Sequence, residues 1–251
     1  MAAGDHAFSK TAPAAALSMF EAEADGLREL AAAKVIRVPE VYSCGIKDGY
    51  ACIEMEKLTF ERPTSASEQQ FGEQLAELHR HTQAKHGWHR DNTIGPTAQK
   101  NSPSDDWVSF YREQRLSYQL KLADTNGYHG ELQVLGAVVL DRLDDMFVDY
   151  VPAASLLHGD LWGGNRGVAD GVPVIFDPAV YYGDRETDIA MTQLFGSFGR
   201  PFYEAYESAW PLAAGYEQRR DLYQLYHVLN HLNLFGSGYL SQATALLQRL
   251  Q

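Results

Sequence analysis

The run His158-Gly159-Asp160-Leu161-Trp162-Gly163-Gly164-Asn165, followed by Phe176-Asp177-Pro178, constrains this chain more than any other feature. Between Asn165 and Asp177 lies Arg166-Gly167-Val168-Ala169-Asp170-Gly171-Val172-Pro173-Val174-Ile175-Phe176. Its central Asp170-Gly171 is a strong signal for a two-residue hairpin turn. With the turn there, Ala169 pairs with Val172, Val168 with Pro173, and Asn165 falls opposite Phe176. Pro173 then sits at a non-hydrogen-bonded position, which a short edge ribbon tolerates. Asp177 lies one residue past the open end, beside Asn165. The hairpin thus delivers an amide oxygen and a carboxylate to one point, and oxygen-only ligation suits Mg²⁺ rather than zinc.

Asp160 precedes Asn165 by five residues (165 − 160) and is followed by Leu161. The same spacing, with the same Leu, occurs in the catalytic loop of kinase-like phosphotransferases. Phosphoryl transfer needs these residue types. A carboxylate orients the attacking hydroxyl and takes its proton, while an amide oxygen and a second carboxylate hold the metal on the phosphates.

The formal net charge of −12 disfavours a nucleic-acid or anionic-membrane partner. Two cysteines, Cys44 and Cys52, form neither a disulfide framework nor a metal pattern. Met1–Lys10 has no apolar core of signal-peptide length. The longest mostly apolar run, Leu132–Leu140, is too short to cross a bilayer. A cytoplasmic protein is the expectation.

Along the chain, Ala7–Thr11 reads as the end of a strand and Leu17–Ala33 as a helix, with Leu17, Phe20, Ala24, Leu27 and Ala31 at helical spacing. Val35–Gly45 reads as a connection and strand, and Gly49–Leu58 as a strand. The polar Glu61–Ser67 reads as a linker. Ser67 is the expected N-cap of a helix running to His81, with Phe71, Leu75 and Leu78 as its apolar stripe. Gly87–Asp105 is a long ordered loop, a kind that is often functional. Asp106–Ala123, Gly130–Val148, Thr187–Gly196, Pro201–Ala214 and Gln218–Phe235 are expected helices, with Gly215 and Gly236 as terminators. The pattern is α+β, a small mixed lobe over residues 1–60 followed by a mostly helical lobe over 61–251.

The segment Leu156–Asn165, the run Asp177-Pro178-Ala179-Val180-Tyr181-Tyr182-Gly183-Asp184-Arg185-Glu186-Thr187-Asp188, Arg90-Asp91-Asn92-Thr93-Ile94-Gly95, Gln99 with Asn101, Asp106-Trp107, Arg115-Leu116 and Asn230–Gly236 together resemble the fructosamine-3-kinases, or ketosamine-3-kinases. Trp162 after His-Gly-Asp-Leu and the Tyr-Tyr-Gly-x-Arg-Glu run separate this family from the related aminoglycoside and choline kinases. The resemblance extends from Phe8 onward. It implies a two-lobed protein-kinase-like fold and phosphorylation by ATP, with Mg²⁺, of the sugar 3-hydroxyl in a small-molecule or protein-bound ketosamine. The 3-phosphate then sheds the sugar, so the activity amounts to deglycation.

By the same resemblance Asp160 is the base, and Asn165 and Asp177 hold Mg²⁺. Lys10 contacts the phosphates with Glu23 as its helix partner, and Glu56, Lys57 and Leu58 offer hinge backbone groups to adenine. Trp162 and Tyr182 are expected either to meet the acceptor or to pack the segment. Asp184 or Glu186 is expected to face a protonated ketosamine nitrogen, while Asp188 caps its helix and braces the catalytic loop. Arg185 is read as pairing with these acids, and His158 as bracing the loop through a backbone hydrogen bond. His79, His81, His86 and His89 are not expected to form a zinc site. His227 and His231 are read as packing residues.

One departure stands out. The family carries strands and a phosphate-covering loop before the lysine, whereas nine residues with Gly4 as their only glycine precede Lys10 here. The N-lobe is read as truncated, by a late reading start, a shortened gene or descent from a silent member. Weak or absent turnover is the expectation. Three functions therefore stay open: a ketosamine 3-kinase, a kinase for an aminoglycoside-like acceptor, and a catalytically silent pseudokinase that acts as a binding protein. The edge left by the missing strands is also an expected pairing site for a second copy, giving a homodimer.

Overall fold

A computed structural model describes residues 7–196 and 198–251. Strand β1 (Ala7–Pro13) leads through a short 3₁₀ turn into helix α1 (Leu17–Ala33), followed by β2 (Val41–Lys47) and β3 (Tyr50–Glu56). The sheet order is β1-β3-β2, antiparallel throughout. Alternation puts Ala51, Ile53 and Met55 on the face that meets Phe20, Ala24 and Leu27 of α1, and together they make a small core. Helix α1 stops at Lys34, whose left-handed backbone (φ 57°) cannot continue it.

Helix α2 (Ser65–His79) begins one turn earlier than the sequence suggests. Thr64, not Ser67, is the N-cap. The Thr64 side chain accepts from the Ser67 N–H at 3.1 Å, and the Ser67 hydroxyl accepts from the Thr64 N–H at 2.9 Å, a reciprocal capping box with Ser at its third position. Phe71, Leu75 and Leu78 are buried as their spacing requires, and such burial stabilises by about 1.5–3 kcal/mol per side chain.

Gly87–Asp105 is ordered, as expected. After the short β4 (Thr82–Gln83) it contains a two-stranded ribbon, β5 (Asn92–Ile94) and β6 (Thr97–Gln99). The Asp106–Ala123 segment is not one regular helix. Asp106 caps α3 (Trp107–Tyr111) by accepting from the Ser109 N–H at 2.7 Å. A π-helical turn, Arg112–Leu116, then intervenes before α4 (Ser117–Thr125). Helix α5 (Glu131–Asp141) likewise gives way to a 3₁₀ turn at Leu143–Phe147.

Strand β7 (Ala154–Leu157) leads into the catalytic segment. The hairpin β8 (Arg166–Ala169) and β9 (Val172–Ile175) has the expected register, with Ala169 opposite Val172 and Val168 opposite Pro173. Positive φ at both Asp170 (51°) and Gly171 (75°) makes its turn type I′. Strand β10 (Tyr181–Gly183) completes a second sheet in the order β10-β7-β4. Helices α6 (Glu186–Leu194), α7 (Arg200–Ala209), α8 (Tyr216–Phe235) and α9 (Leu240–Arg249) follow. Gly236 ends α8, whereas Gly215 opens α8 rather than closing α7. A continuous apolar core joins α2, the second sheet and α3 to α9.

Several contacts tie the sheet-and-α1 unit to the helical unit outside the cleft. Arg37 pairs with Glu56 at 2.6 Å and with Asp170 of the hairpin turn at 2.7 Å, while its carbonyl accepts from the Ile175 N–H. Arg90, beside the ribbon, pairs with Asp25 of α1 at 2.5 Å. Tyr182 donates its hydroxyl to Glu29 of α1 at 2.7 Å.

Candidate active site

Lys10 projects from β1 toward α1, and its ammonium donates to Glu23 at 2.6 Å and also to Asp177. Burial pulls the ammonium pKa down, but the two carboxylates outweigh it and hold the pKa above its ordinary value. Glu23 titrates above the usual carboxylate range, because burial exceeds the help from Lys10. The pair is therefore formed and aimed at Asp177.

Asp177 takes a left-handed backbone (φ 55°), which is uncommon for a residue with a side chain and recurs at functional sites. That twist turns the chain out of the hairpin at its open end. The Phe176 N–H bonds the Asn165 carbonyl at 3.0 Å, closing the ladder one residue before Asp177. The side-chain amide of Asn165 donates to the Asp160 carbonyl at 3.0 Å, to Asp160 Oδ2 at 3.2 Å and to the Asp177 carbonyl at 3.4 Å. Its oxygen is left for another partner. Asn165 and Asp177 offer oxygen donors only, and no group of three His, Cys, Asp or Glu among the described residues could hold a metal by itself. That set fits Mg²⁺, which keeps several waters and binds through one or two protein oxygens plus substrate phosphates.

Asp160 is held by the chain on both sides. His158 donates through Nε2 to the Phe176 carbonyl at 3.0 Å and accepts the Asp160 N–H on Nδ1 at 3.2 Å. Burial lowers the His158 pKa, so the ring is neutral and serves as a brace. Gly159 has φ 82°, and a Cβ there would come within 2.1 Å of the Ala179 carbonyl, so only glycine fits. Asp188 accepts from the His158 N–H at 2.8 Å, the Gly159 N–H at 2.9 Å and His79 Nε2 at 3.3 Å. The Tyr206 hydroxyl in turn meets His79 Nδ1 at 2.8 Å. Burial raises the Asp160 pKa to about 7, with Asp188 and Asp177 adding to the rise against the Asn165 hydrogen bond. A base poised near neutrality suits proton abstraction at working pH.

Two cavities meet at Lys10 and Asp177. The first, about 470 Å³, is lined by Glu23, Met19 and Phe20 of α1, Asn92, Thr93, Gly95 and Pro96 of the ribbon, and Asp160, Trp162 and Asn165. The second, about 170 Å³, is an apolar slot between Phe8, Pro39 and Met55 above and Phe60 and Phe176 below, and it is reached by Glu56, Lys57 and Leu58. The Glu56 N–H bonds the Glu40 carbonyl at 2.8 Å. Trp162 is 40 % exposed at the mouth of the larger cavity, with the Phe195 ring edge-on at 6.2 Å.

Asp184 and Glu186 lie elsewhere, which corrects the expected contact with a cationic acceptor. Both are fully buried. Asp184 accepts from the Tyr150 and Tyr223 hydroxyls at 2.8 and 2.5 Å, and burial with Glu186 close by raises its pKa. Glu186 pairs with Arg219 at 2.7 Å, and the Arg219 guanidinium lies over the Tyr150 ring at 4.0 Å. Arg185 does not pair with these acids but bonds the Trp210 and Pro211 carbonyls. Tyr182 ties the two units together and does not line the cleft. The ribbon is the wall the sequence reading did not assign. Its signal was the long polar loop at Gly87–Asp105. The expected lack of a phosphate-covering segment concerns residues before Lys10, and residues 1–6 lie outside the described residues.

A lysine–glutamate pair on a small sheet unit, facing a base, an asparagine and a second aspartate on a helical unit across an apolar slot, defines a two-lobed protein-kinase-like phosphotransferase. Within that class the chain belongs to the fructosamine kinase family, whose model matches residues 2–251. It is 45 % identical over 244 residues to a probable ketoamine kinase of Synechocystis sp. (strain PCC 6803), covering 96 % of this chain and 82 % of the relative. It is 43 % identical to the chloroplastic protein-ribulosamine 3-kinase of Arabidopsis thaliana, covering 96 % of this chain and 74 % of that protein. A crystal structure from Haemophilus somnus 129PT, assigned as a fructosamine-3-kinase, superposes with a TM-score of 0.89 at 33 % identity, covering 97 % of this chain and 83 % of that one.

Proposed function

We propose that this chain transfers the γ-phosphoryl group of ATP to the sugar 3-hydroxyl of a ketosamine, in the cytoplasm, and so initiates deglycation. The observation that carries the reading is the convergence of Lys10, Asp177, Asn165 and Asp160 where the apolar slot opens into the larger cavity. Adenine fits the slot between Met55 and Phe176, which places the phosphates over Lys10. Asn165 and Asp177 would hold Mg²⁺, which when bound supplies charge neutralisation on the phosphates. Asp160 orients the acceptor hydroxyl and takes its proton as that oxygen bonds to the γ-phosphorus. The bond from the γ-phosphorus to the β–γ bridging oxygen breaks, and ADP leaves. Trp162 and the ribbon enclose the acceptor on the far side.

The test is ADP release with Mg²⁺-ATP and a fructosamine, alongside an Asp160→Asn control. Fructosamine-dependent release that the control abolishes supports the reading. Release driven by an aminoglycoside and not by a fructosamine replaces the acceptor. Nucleotide binding with no release from any acceptor replaces the enzyme with a binding protein.

A further inference from the structure

Arg115 is fully buried, yet its guanidinium forms no ion pair among the described residues. An arginine cannot shed its charge by losing a proton, so the fold must hold a cation without a contacting counter-ion. It does so with carbonyls and aromatic faces. One nitrogen donates to the Lys100 and Gln114 carbonyls at 2.5 and 3.1 Å, and another to Asn101 Oδ1 at 2.7 Å. The Tyr181 and Phe110 rings lie 4.1 and 4.7 Å from the guanidinium carbon. Nε has no partner. Arg115 also lies in the π-helical turn, a rare local conformation concentrated at functional sites.

The charge is passed to the ribbon through side-chain amides. Asn101, polarised by Arg115, donates to Asn92 Oδ1 at 2.8 Å and to the Arg90 carbonyl at 3.1 Å. Asn92 donates to the Val180 carbonyl at 2.8 Å. Gln99, held by the Tyr226 hydroxyl at 2.7 Å, donates to Asn92 Oδ1 and to the Ala179 carbonyl. Ala179 and Val180 immediately follow the Asp177-Pro178 corner, and the Ala179 N–H bonds the His158 carbonyl. The network therefore spans from the ribbon wall of the cleft to the backbone that carries Asp160 and Asp177.

We infer that Arg115 is a positioning residue for the acceptor: through Asn101 and Asn92 it sets the distance between the ribbon, at Thr93–Pro96, and Asp160. The inference rests on the ketosamine kinase reading for its substrate but not for its geometry. Arg115 touches neither the nucleotide slot nor Lys10, and its amide chain leads first to the ribbon that lines the larger cavity, so its loss falls mainly on the acceptor.

The experiment compares wild type, Arg115→Met and Asn101→Asp. The aspartate keeps an acceptor for Arg115 and gives it a carboxylate partner but cannot donate to Asn92 or Arg90, so it cuts the link while still holding the guanidinium. Both variants are expected to raise the KM for the fructosamine tenfold or more, with the KM for ATP within twofold. Amide hydrogen exchange without substrates gives an independent reading: residues 92–99 should exchange at least tenfold faster, with α8 unchanged. Should Arg115→Met fail to fold, Asn101→Asp decides alone. Equal changes in both KM values, or unaltered exchange in the ribbon, would overturn the inference. Absence of fructosamine turnover in the wild type refutes the acceptor instead, and the exchange result then still decides the role of Arg115.

Discussion

Replacing Asp188 by asparagine isolates the brace beneath the catalytic loop. The side chain is almost wholly buried, and its two oxygens serve three donors: His158 N–H and His79 on one, Gly159 N–H on the other. Asparagine has one oxygen. If it stays beneath His158 and His79, the new amide NH₂ faces the Gly159 N–H, and a buried donor loses its acceptor at a penalty of about 1–3 kcal/mol. The surviving bonds also lose charge assistance, at about 1 kcal/mol each. The expected total is about 3–5 kcal/mol, a large part of the roughly 5–15 kcal/mol that holds a typical protein folded. Gly159 cannot stay in place with a repulsive neighbour, and Asp160 follows it. A displacement of about 1 Å at a reacting group lowers kcat on the order of 100-fold. Urea denaturation should show a lower midpoint at unchanged slope, and steady-state turnover should show the loss in kcat. Burial alone would raise the Asp188 pKa, but hydrogen bonds from His79 and Gly159 bring it below the ordinary value. Its contribution is therefore present above the unfolded-state pKa and lost as pH falls through the folded one, so wild type and variant should converge in strong acid. A variant within 1 kcal/mol of wild type and within threefold in kcat would refute the brace.

The remaining expectations follow from the same geometry. Because Asp160 titrates at about 7, kcat/KM should fall about tenfold per pH unit below that value, and a profile flat down to pH 5 would contradict the base assignment. A raised carboxylate pKa means stability that is full below the unfolded pKa and lost as pH rises through 7. Asp160→Asn should therefore raise the melting temperature at pH 8 while abolishing turnover, with a gain of at most about 4 kcal/mol. Arg219→Leu strands the buried Glu186 carboxylate and should lower stability by about 3–5 kcal/mol, and adding Glu186→Leu should recover most of the loss in a double-mutant denaturation cycle. Lys10→Met should lower ATP turnover on the order of 100-fold without unfolding the chain, as read by circular dichroism beside the kinetic assay.

What the sequence disclosed was local. The hairpin is legible because Asp170-Gly171 fixes both the turn type and the register, so the positions of Asn165 and Asp177 follow from counting. Helix α1 is legible because its apolar spacing is regular and its packing partner is a sheet close in sequence. Asp184 and Glu186 were misplaced because a run of charges ordinarily faces water. Their burial depends on Tyr150, Tyr223 and Arg219, which lie tens of residues away and give no periodic signal. The π turn at Arg112–Leu116 escapes a reading based on a period of 3.6, because one inserted residue leaves the apolar pattern helical on both sides. Thr64 and Ser67 are both capping residue types, and only the reciprocal bonds distinguish cap from third position.

The ties between the lobes have a mechanical consequence. A plate fastened at one point swivels and at two points hinges, but at three points not in line it has no axis left. Arg37 clips the sheet unit to the hairpin, while Arg90 and Tyr182 catch α1 at Asp25 and Glu29. Opening the cleft by swinging one lobe from the other would require at least one clip to release. Changing Glu29 or Asp25 to Ala is expected to loosen the lobes, read as faster amide exchange in α1. The lysine on β1 and its carboxylate partner on α1 belong to the same unit, so a swing of the lobes does not by itself part them.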